Sequence, residues 1–238
     1  IALFDENEKM KIEKKVKVKK KNIFHVTYII KEKSNFTLSL TYEDDVIGFE
    51  RIYVEDEATG EINIMYDNKK SVYLYRCIEV KNSSVVNVNI FGKNEGFLEN
   101  RNIIIFKGNN AECYENVGLL NIKGQCRFYT QLNHKEKENK SKSTIHIAAF
   151  YDSSSSIEGL IKIFENSINS DALLEQKTLL CSDDAKVYSY PSLEIKNNEV
   201  KATHSSAITK IDDEEILLRY KPEKVNIIKK WLKNPENY

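Results

Sequence analysis

The chain has 238 residues, 41% of them hydrophobic, which is enough for one large domain or two small ones with a real core. Its 36 Lys and Arg balance 36 Asp and Glu, so the molecule as a whole is no polyelectrolyte binder and no nucleic-acid partner is implied. No run approaches the roughly 18 apolar residues of a membrane helix, and the first residues lack the apolar centre of a signal peptide, so the expected address is cytoplasmic and away from membranes.

In chain order, residues 9–21 hold eight lysines against one glutamate, and residues 43–61 hold eight acids against Arg51. Such runs read as solvated strand faces and loops that partly pair, with a docking patch as the alternative. Short apolar runs then recur at 62–66, 72–80, 85–91, 103–106, 117–122, 126–132, 144–150, 157–164, 177–181, 186–190, 192–195 and 200–203. Nearly all are strand-length and rich in Val, Ile, Tyr or Phe, with turn signals such as Asp67-Asn68, Asn82-Ser83 and Gly108-Asn109-Asn110 between them. Few intervals have room for a helix. The stretch 134–143, HKEKENKSKS, has no apolar residue and reads as a mobile charged loop. This pattern fits a sandwich, a barrel or a solenoid, and the pattern alone does not choose.

Near the end, Pro191 is expected to open a strand that places Leu193 and Ile195 on one face, because side chains alternate along an extended chain. Asn197-Asn198 is a turn signal, since Asn tolerates left-handed dihedrals and bonds its own backbone. A second strand is expected through Thr203. Asp212 or Asp213 suits a helix N-cap, with Glu214 and Glu215 in the first turn near the positive end of the dipole. Ile216, Leu217 and Tyr220 then form a short apolar face, Pro222 fits a first helical position, and Val225, Ile228, Trp231 and Leu232 recur at helical spacing.

Motifs of catalysis are sparse. Cys77, Cys113, Cys126 and Cys181 are widely spaced with no C-x-x-C, so a zinc ribbon or disulfide framework is not implied and the thiols are expected to be reduced. The serine run 153–156 has no glycine elbow, and no G-x-x-x-x-G-K-[ST] occurs, so ATP hydrolysis would belong to a partner.

Residues 179–215 read LLCSDDAKVYSYPSLEIKNNEVKATHSSAITKIDDEE. The leucine pair, acidic turn, P-x-L-E-I strand, Asn-Asn turn, V-K-x-x-H strand and I-D-E-E helix start resemble the C-terminal core of the SufB/SufD family of iron–sulfur cluster assembly proteins. Gly159 to Ile163 and Gln176-Lys177-Thr178 extend the likeness upstream. The resemblance implies a mainly β fold, a right-handed parallel β-helix core over residues 1–211 with 1–60 as an irregular leading part, and a small C-terminal helical unit over 212–238. It also implies a scaffold subunit rather than an enzyme, a transient iron–sulfur cluster, and as partners the ATPase SufC and a second SufB/SufD-type subunit, in a homodimer or heterodimer. His204 falls on the histidine that the family uses near the site of cluster assembly. Gln176 stands where SufB has a cysteine, and Thr203 and Ser205 stand where SufB has glutamates flanking the histidine. These departures resemble SufD. Cys181 is a second candidate ligand, although its odd offset from Gln176 puts it on the opposite face of an unbroken strand. SufC docking is expected at Ile216, Leu217, Tyr220, Val225, Ile228, Trp231 and Leu232. A β-helix carbohydrate-active enzyme and an adaptor that binds SufC without touching iron are the alternatives.

Overall fold

The computed structural model describes the backbone of residues 2–4, 10–16, 22–43 and 45–210, with side chains from residue 23 onward. Among the described residues, strands alternate between two eight-stranded sheets. One sheet runs β1 (Ala2–Phe4), β3 (Asn22–Ile30), β5 (Val46–Val54), β7 (Ser71–Val80), β9 (Phe97–Phe106), β11 (Gln125–His134), β13 (Ser154–Ile163) and β15 (Lys186–Ile195). The other runs β2 (Met10–Val16), β4 (Asn35–Tyr42), β6 (Thr59–Asn68), β8 (Val85–Asn94), β10 (Glu112–Asn121), β12 (Lys140–Ala149), β14 (Asp171–Leu180) and β16 (Lys201–Lys210). Every strand pairing among the described residues is parallel and joins a strand to the one two ahead, for example β7 to β9 and β10 to β12. Each coil is therefore one strand from each sheet, stacked on the coil before it. The chain is a parallel β-helix, as expected. The C-terminal helical unit expected over 212–238 lies outside the described residues.

Strand alternation makes the core. In β5 and β7 every second residue is buried, and parallel register stacks like on like: Ile52, Ile78, Ile104, Leu132 and Ile161 form one column. Each of those five side chains is at most 1% exposed. Branched side chains suit such columns because their stiff χ1 packs well on a pleated surface.

The corners explain why the coil needs no fixed repeat length. Where the chain passes from the first sheet to the second, Lys33, Glu57, Ser83, Asn110, Glu138 and Asn169 all have φ between 54° and 61°. Each is followed by a buried small or amide residue: Ser34, Ala58, Ser84, Ala111, Asn139 and Ser170. These residues tie adjacent corners together. Ala58 N–H donates to Ser84 Oγ at 3.2 Å, and Ala111 N–H donates to Asn139 Oδ1 at 2.9 Å. At the far strand ends, Asn68, Asn94 and Asn121 form a buried amide ladder with links of 2.6 and 2.8 Å. A ladder of this kind satisfies amides that would each cost about 1–3 kcal/mol if stranded.

Four sequence expectations change. The two runs 186–190 and 192–195 are one strand, β15, with Pro191 inside it rather than at its start. Pro has no N–H for a ladder, and β15 tolerates it because β15 is the edge of its sheet. The strand expected to end at Thr203 continues to Lys210 as β16. The stretch 134–143 is not a long mobile loop: His134 ends β11, β12 begins at Lys140, and His134, Asn139, Ser141 and Ser143 are buried. Charged residues between them alternate outward, and this masks the strand signal. Finally, the acids of 43–61 are not all solvated, since Glu50 is 1% exposed.

Candidate functional site

Glu50 anchors a polar network inside the solenoid. Its register partner Arg76 is fully buried; Nε donates to Glu50 Oε2 at 2.8 Å, and Nη2 approaches the same oxygen at 2.6 Å, off the line of a hydrogen bond. Tyr42 donates to the other Glu50 oxygen. Arg76 Nη1 then donates to Asn102 Oδ1 at 3.0 Å, and Asn102 Nδ2 donates to Glu115 Oε1 at 2.8 Å. Thr130 and Ser143 complete Glu115, donating to Oε2 at 2.8 and 2.6 Å. Burial alone would lower the Arg76 pKa, but the Glu50 carboxylate and the Tyr66 and Tyr42 hydroxyls outweigh it and raise the value. Burial, reinforced by Glu50, pushes Tyr42 well above the ordinary phenol range. The guanidinium stays charged and the phenol stays neutral. These are the protonation states that the network's hydrogen bonds require.

The same columns continue to the last coil, where the interior opens. On β16, Ala202, His204, Ser206 and Ile208 occupy inward register positions, opposite the buried Ala172, Leu174, Gln176 and Thr178 of β14. His204 stands in the column that carries Glu115, Ser143 and Leu174 below it. Yet His204 and Ser206 are exposed, and Ile208 is 47% exposed. Ser189 on β15 bridges the mouth, donating to Gln176 Oε1 at 2.6 Å and lying 2.7 Å from Ser206 Oγ. Gln176 Nε2 is buried without a hydrogen-bond partner among the described residues. Glycine at 159 makes room for this amide: a Cβ there would stand 2.5 Å from Gln176 Nε2 and from Leu174 Cδ2. His204 is exposed and makes no hydrogen bond among the described residues.

His204 and Cys181 are not brought together. His204 is level with Leu174, whereas Cys181 follows β14 and lies seven positions beyond Leu174, about 23 Å along the strand at about 3.3 Å per residue. Cys181 packs beside Ile122, Ala148, Phe150 and Leu120, and burial pushes its thiol up to about 12. Cys181 lies just past the end of β14, packed on that small cluster, whereas Gln176 is buried within the strand. Cys113 and Cys126 are core residues; burial raises both thiols, Cys126 to about 12. No group of three or more His, Cys, Asp or Glu side chains suited to a metal ion occurs among the described residues. One imidazole is a single ligand of the several that an iron–sulfur cluster takes. The mouth is thus part of a ligand set at most.

Sequence reasoning missed Ser189, Ser206 and the Glu50–Arg76–Asn102 line. A signal was present for the last, since these three polar residues recur at a separation of 26.

Residues 186–195 and 201–210 of the SUF-type motif are β15 and β16, and similarity to known proteins extends beyond them. The family described as "SUF system FeS cluster assembly, SufBD core domain" matches residues 14–218. The iron–sulfur cluster assembly protein SufD of Escherichia coli K12 is 29% identical over 111 residues, covering 46% of this chain and 26% of that protein. The match therefore spans about a quarter of that relative's length. With the family matched over most of its length, the chain belongs to the SufBD core-domain family of the SUF iron–sulfur cluster assembly system.

Proposed function

We propose that this chain is a scaffold subunit of a SUF-type assembly complex and that its last coil forms one half of the cluster-assembly site. The observation that carries this reading is His204: an inward column position whose counterparts in earlier coils are sealed, but which is exposed here beside Ser206, Ser189 and Gln176. Neutral imidazole is a good ligand for iron, and the remaining ligands come from a second β-helix subunit facing the same mouth, in a homodimer or a heterodimer. β15 and β16 end their sheets among the described residues and favour such a partner, because a strand edge invites pairing. The iron–sulfur cluster is cargo, built and passed on. Energy enters through SufC, which docks on the C-terminal stripe of Ile216, Leu217, Tyr220, Val225, Ile228, Trp231 and Leu232, and the complex works in the cytoplasm. Cys181 lies too far along the strand to complete the His204 set within one chain.

Anaerobic reconstitution with iron and sulfide, with SufC and the second subunit present, tests this. His204→Ala is expected to leave folding and SufC co-purification intact while cutting cluster yield several-fold, read by visible absorbance and labile sulfide. Unchanged yield removes His204 from the site.

A further inference from the structure

On the outer face of the first sheet, parallel register stacks side chains into two neighbouring columns. One column is Phe49, Tyr75, Arg101, Tyr129, Glu158 and Tyr190; the other is Ile47, Tyr73, Glu99, Arg127, Ser156 and Tyr188. Both run across β5, β7, β9, β11, β13 and β15 in that order. Among the described residues, six of the 14 exposed large hydrophobic side chains stand in these columns, from Ile47 at 36% to Tyr190 at 57%. The fold does not need them there, because the core lies on the opposite face of the same strands. Tyr, Phe and Arg are the side chains enriched in buried protein interfaces, and a contiguous patch of them is a docking surface.

The order of residues along each column says what docks. Aromatic and apolar side chains stand at both ends and charge stands in the middle, where Arg101 Nε donates to Glu99 Oε1 at 2.9 Å and Arg127 Nη1 lies 3.8 Å from Glu99 Oε2. A twofold axis parallel to the strands, between β9 and β11, turns each column onto itself in reverse. Glu99 then meets Arg127 of the second copy, Tyr75 meets Glu158, Phe49 meets Tyr190 and Ile47 meets Tyr188, each pairing occurring twice. Arg101, whose guanidinium already lies 5.7 Å from the Tyr129 ring of its own chain, meets Tyr129 of the second copy. These are an ion pair, a phenol donating to a carboxylate, two apolar contacts and a cation beside a ring, all of them favourable. Surface relief follows the same axis. A hollow of about 340 Å3, with Ile47, Phe49, Tyr73 and Tyr75 among its walls, comes to face Tyr188 and Tyr190, which are 48% and 57% exposed. The face is also large enough: six strands about 4.8 Å apart and up to ten residues long at about 3.3 Å each offer about 800 Å2 from each copy, the size of a standard stable interface.

We propose that two copies of this chain pack first sheet against first sheet about this axis. Sheets packed face to face lie about 10 Å apart with strand directions within about 30° of each other, and the twofold keeps the strands aligned in that way. The aromatic ends supply the burial and the central charges set the register, since surface ion pairs add little affinity but like charges brought together across an interface are costly. The two solenoids run antiparallel in such a pair, so the last coils, with His204, lie at its opposite ends. The contact is therefore separate from the one proposed at the mouth, and it does not rest on the assembly reading.

A charge-reversal exchange tests this, read as mass by light scattering and sedimentation on the full-length protein without SufC or iron. The parent is expected to associate through this face, and Glu99→Arg or Arg127→Glu alone is expected to halve its mass, because each places two like-charged pairs across the axis. Neither side chain is in the core, so each variant is expected to keep the parent's β-type circular dichroism. An equimolar mixture of the two single variants is expected to regain the parent's mass, since every pair across the axis is then opposite in charge while the pair within each chain stays broken. Phe49→Ser with Tyr190→Ser removes the aromatic ends instead of the charges and is expected to give the same halving. A monomeric parent or a mixture that does not re-pair overturns the proposal. An associated parent whose mass none of these variants changes also overturns it, and places the contact elsewhere, such as the last coil. Cluster assembly enters none of these readings, so failure here is separate from failure of the proposed function.

Discussion

The middle coils and the last coil are built on the same columns and differ in what seals them. Between β5 and β12 the inward Glu50, Arg76, Asn102 and Glu115 meet partners in the coils around them and are buried and bonded in one chain. At β15 and β16 the columns present Ser189, His204 and Ser206. Inward-facing position therefore does not by itself mean structural role in a solenoid. A position becomes structural when a further coil covers it, and it is open to chemistry when none does.

The largest expected effect tests the sealed side. Arg76→Ala strands Glu50 and Asn102 in the interior and is expected to cost about 3–5 kcal/mol, the range for breaking one partner of a buried ion pair. Replacing the pair with apolar residues, Glu50→Leu with Arg76→Met, is expected to recover most of that loss in urea unfolding. A cost for Arg76→Ala under about 1 kcal/mol means that water reaches the middle coils, and the contrast fails.

Next is acid. His134, 0% exposed and stacked on Phe106 at 4.5 Å, is pushed down to about 3 by burial. A depressed histidine contributes stability that is complete above the unfolded value of about 6.5 and is lost as pH falls from there toward 3. The expected slope is at most about 1.4 kcal/mol per pH unit, steepest midway between the two values, and His134→Gln is expected to flatten it. An unchanged slope in that variant assigns the acid response to other groups.

These effects also mark what could be read from the sequence. Branched columns were legible because each run of Val, Ile and Phe alternates on its own strand, and the C-terminal motif was legible because Pro191, the Asn197-Asn198 turn and His204 are spaced as in the family. The corners were not. Left-handed φ at Lys33, Glu57 and Glu138 falls on residue types that carry no turn signal, and the buried Ser34, Ala58 and Asn139 that follow them have meaning only beside the next coil. Glu50 looked like one more acid in a charged run because its partner Arg76 is a coil away in sequence. Likewise, His134 and Ser143 are buried amid lysines, since one face of a strand can be wholly charged while the other is wholly inside. The candidate site was half legible: a histidine can be picked out by motif, but the hydroxyls and the orphaned Gln176 amide around it follow from register alone.

Moving along one column brings the comparison to its finest scale. Ser143 and His204 share that column, two coils apart. Ser143→Ala removes one of the three hydrogen bonds that Glu115 accepts, and with the acceptor buried it is expected to cost about 1–3 kcal/mol. His204→Ala removes an exposed ring with no hydrogen bond among the described residues, and a surface change of that kind stays within about 0.5 kcal/mol. Amide exchange should agree, with β15 and β16 opening at lower free energy than β9 to β12, because among the described residues this coil has a neighbouring coil on one side only. If His204→Ala instead destabilises the protein as much as Ser143→Ala, the last coil is closed in solution. The histidine is then part of the fold, and the assembly site must be sought elsewhere on the chain.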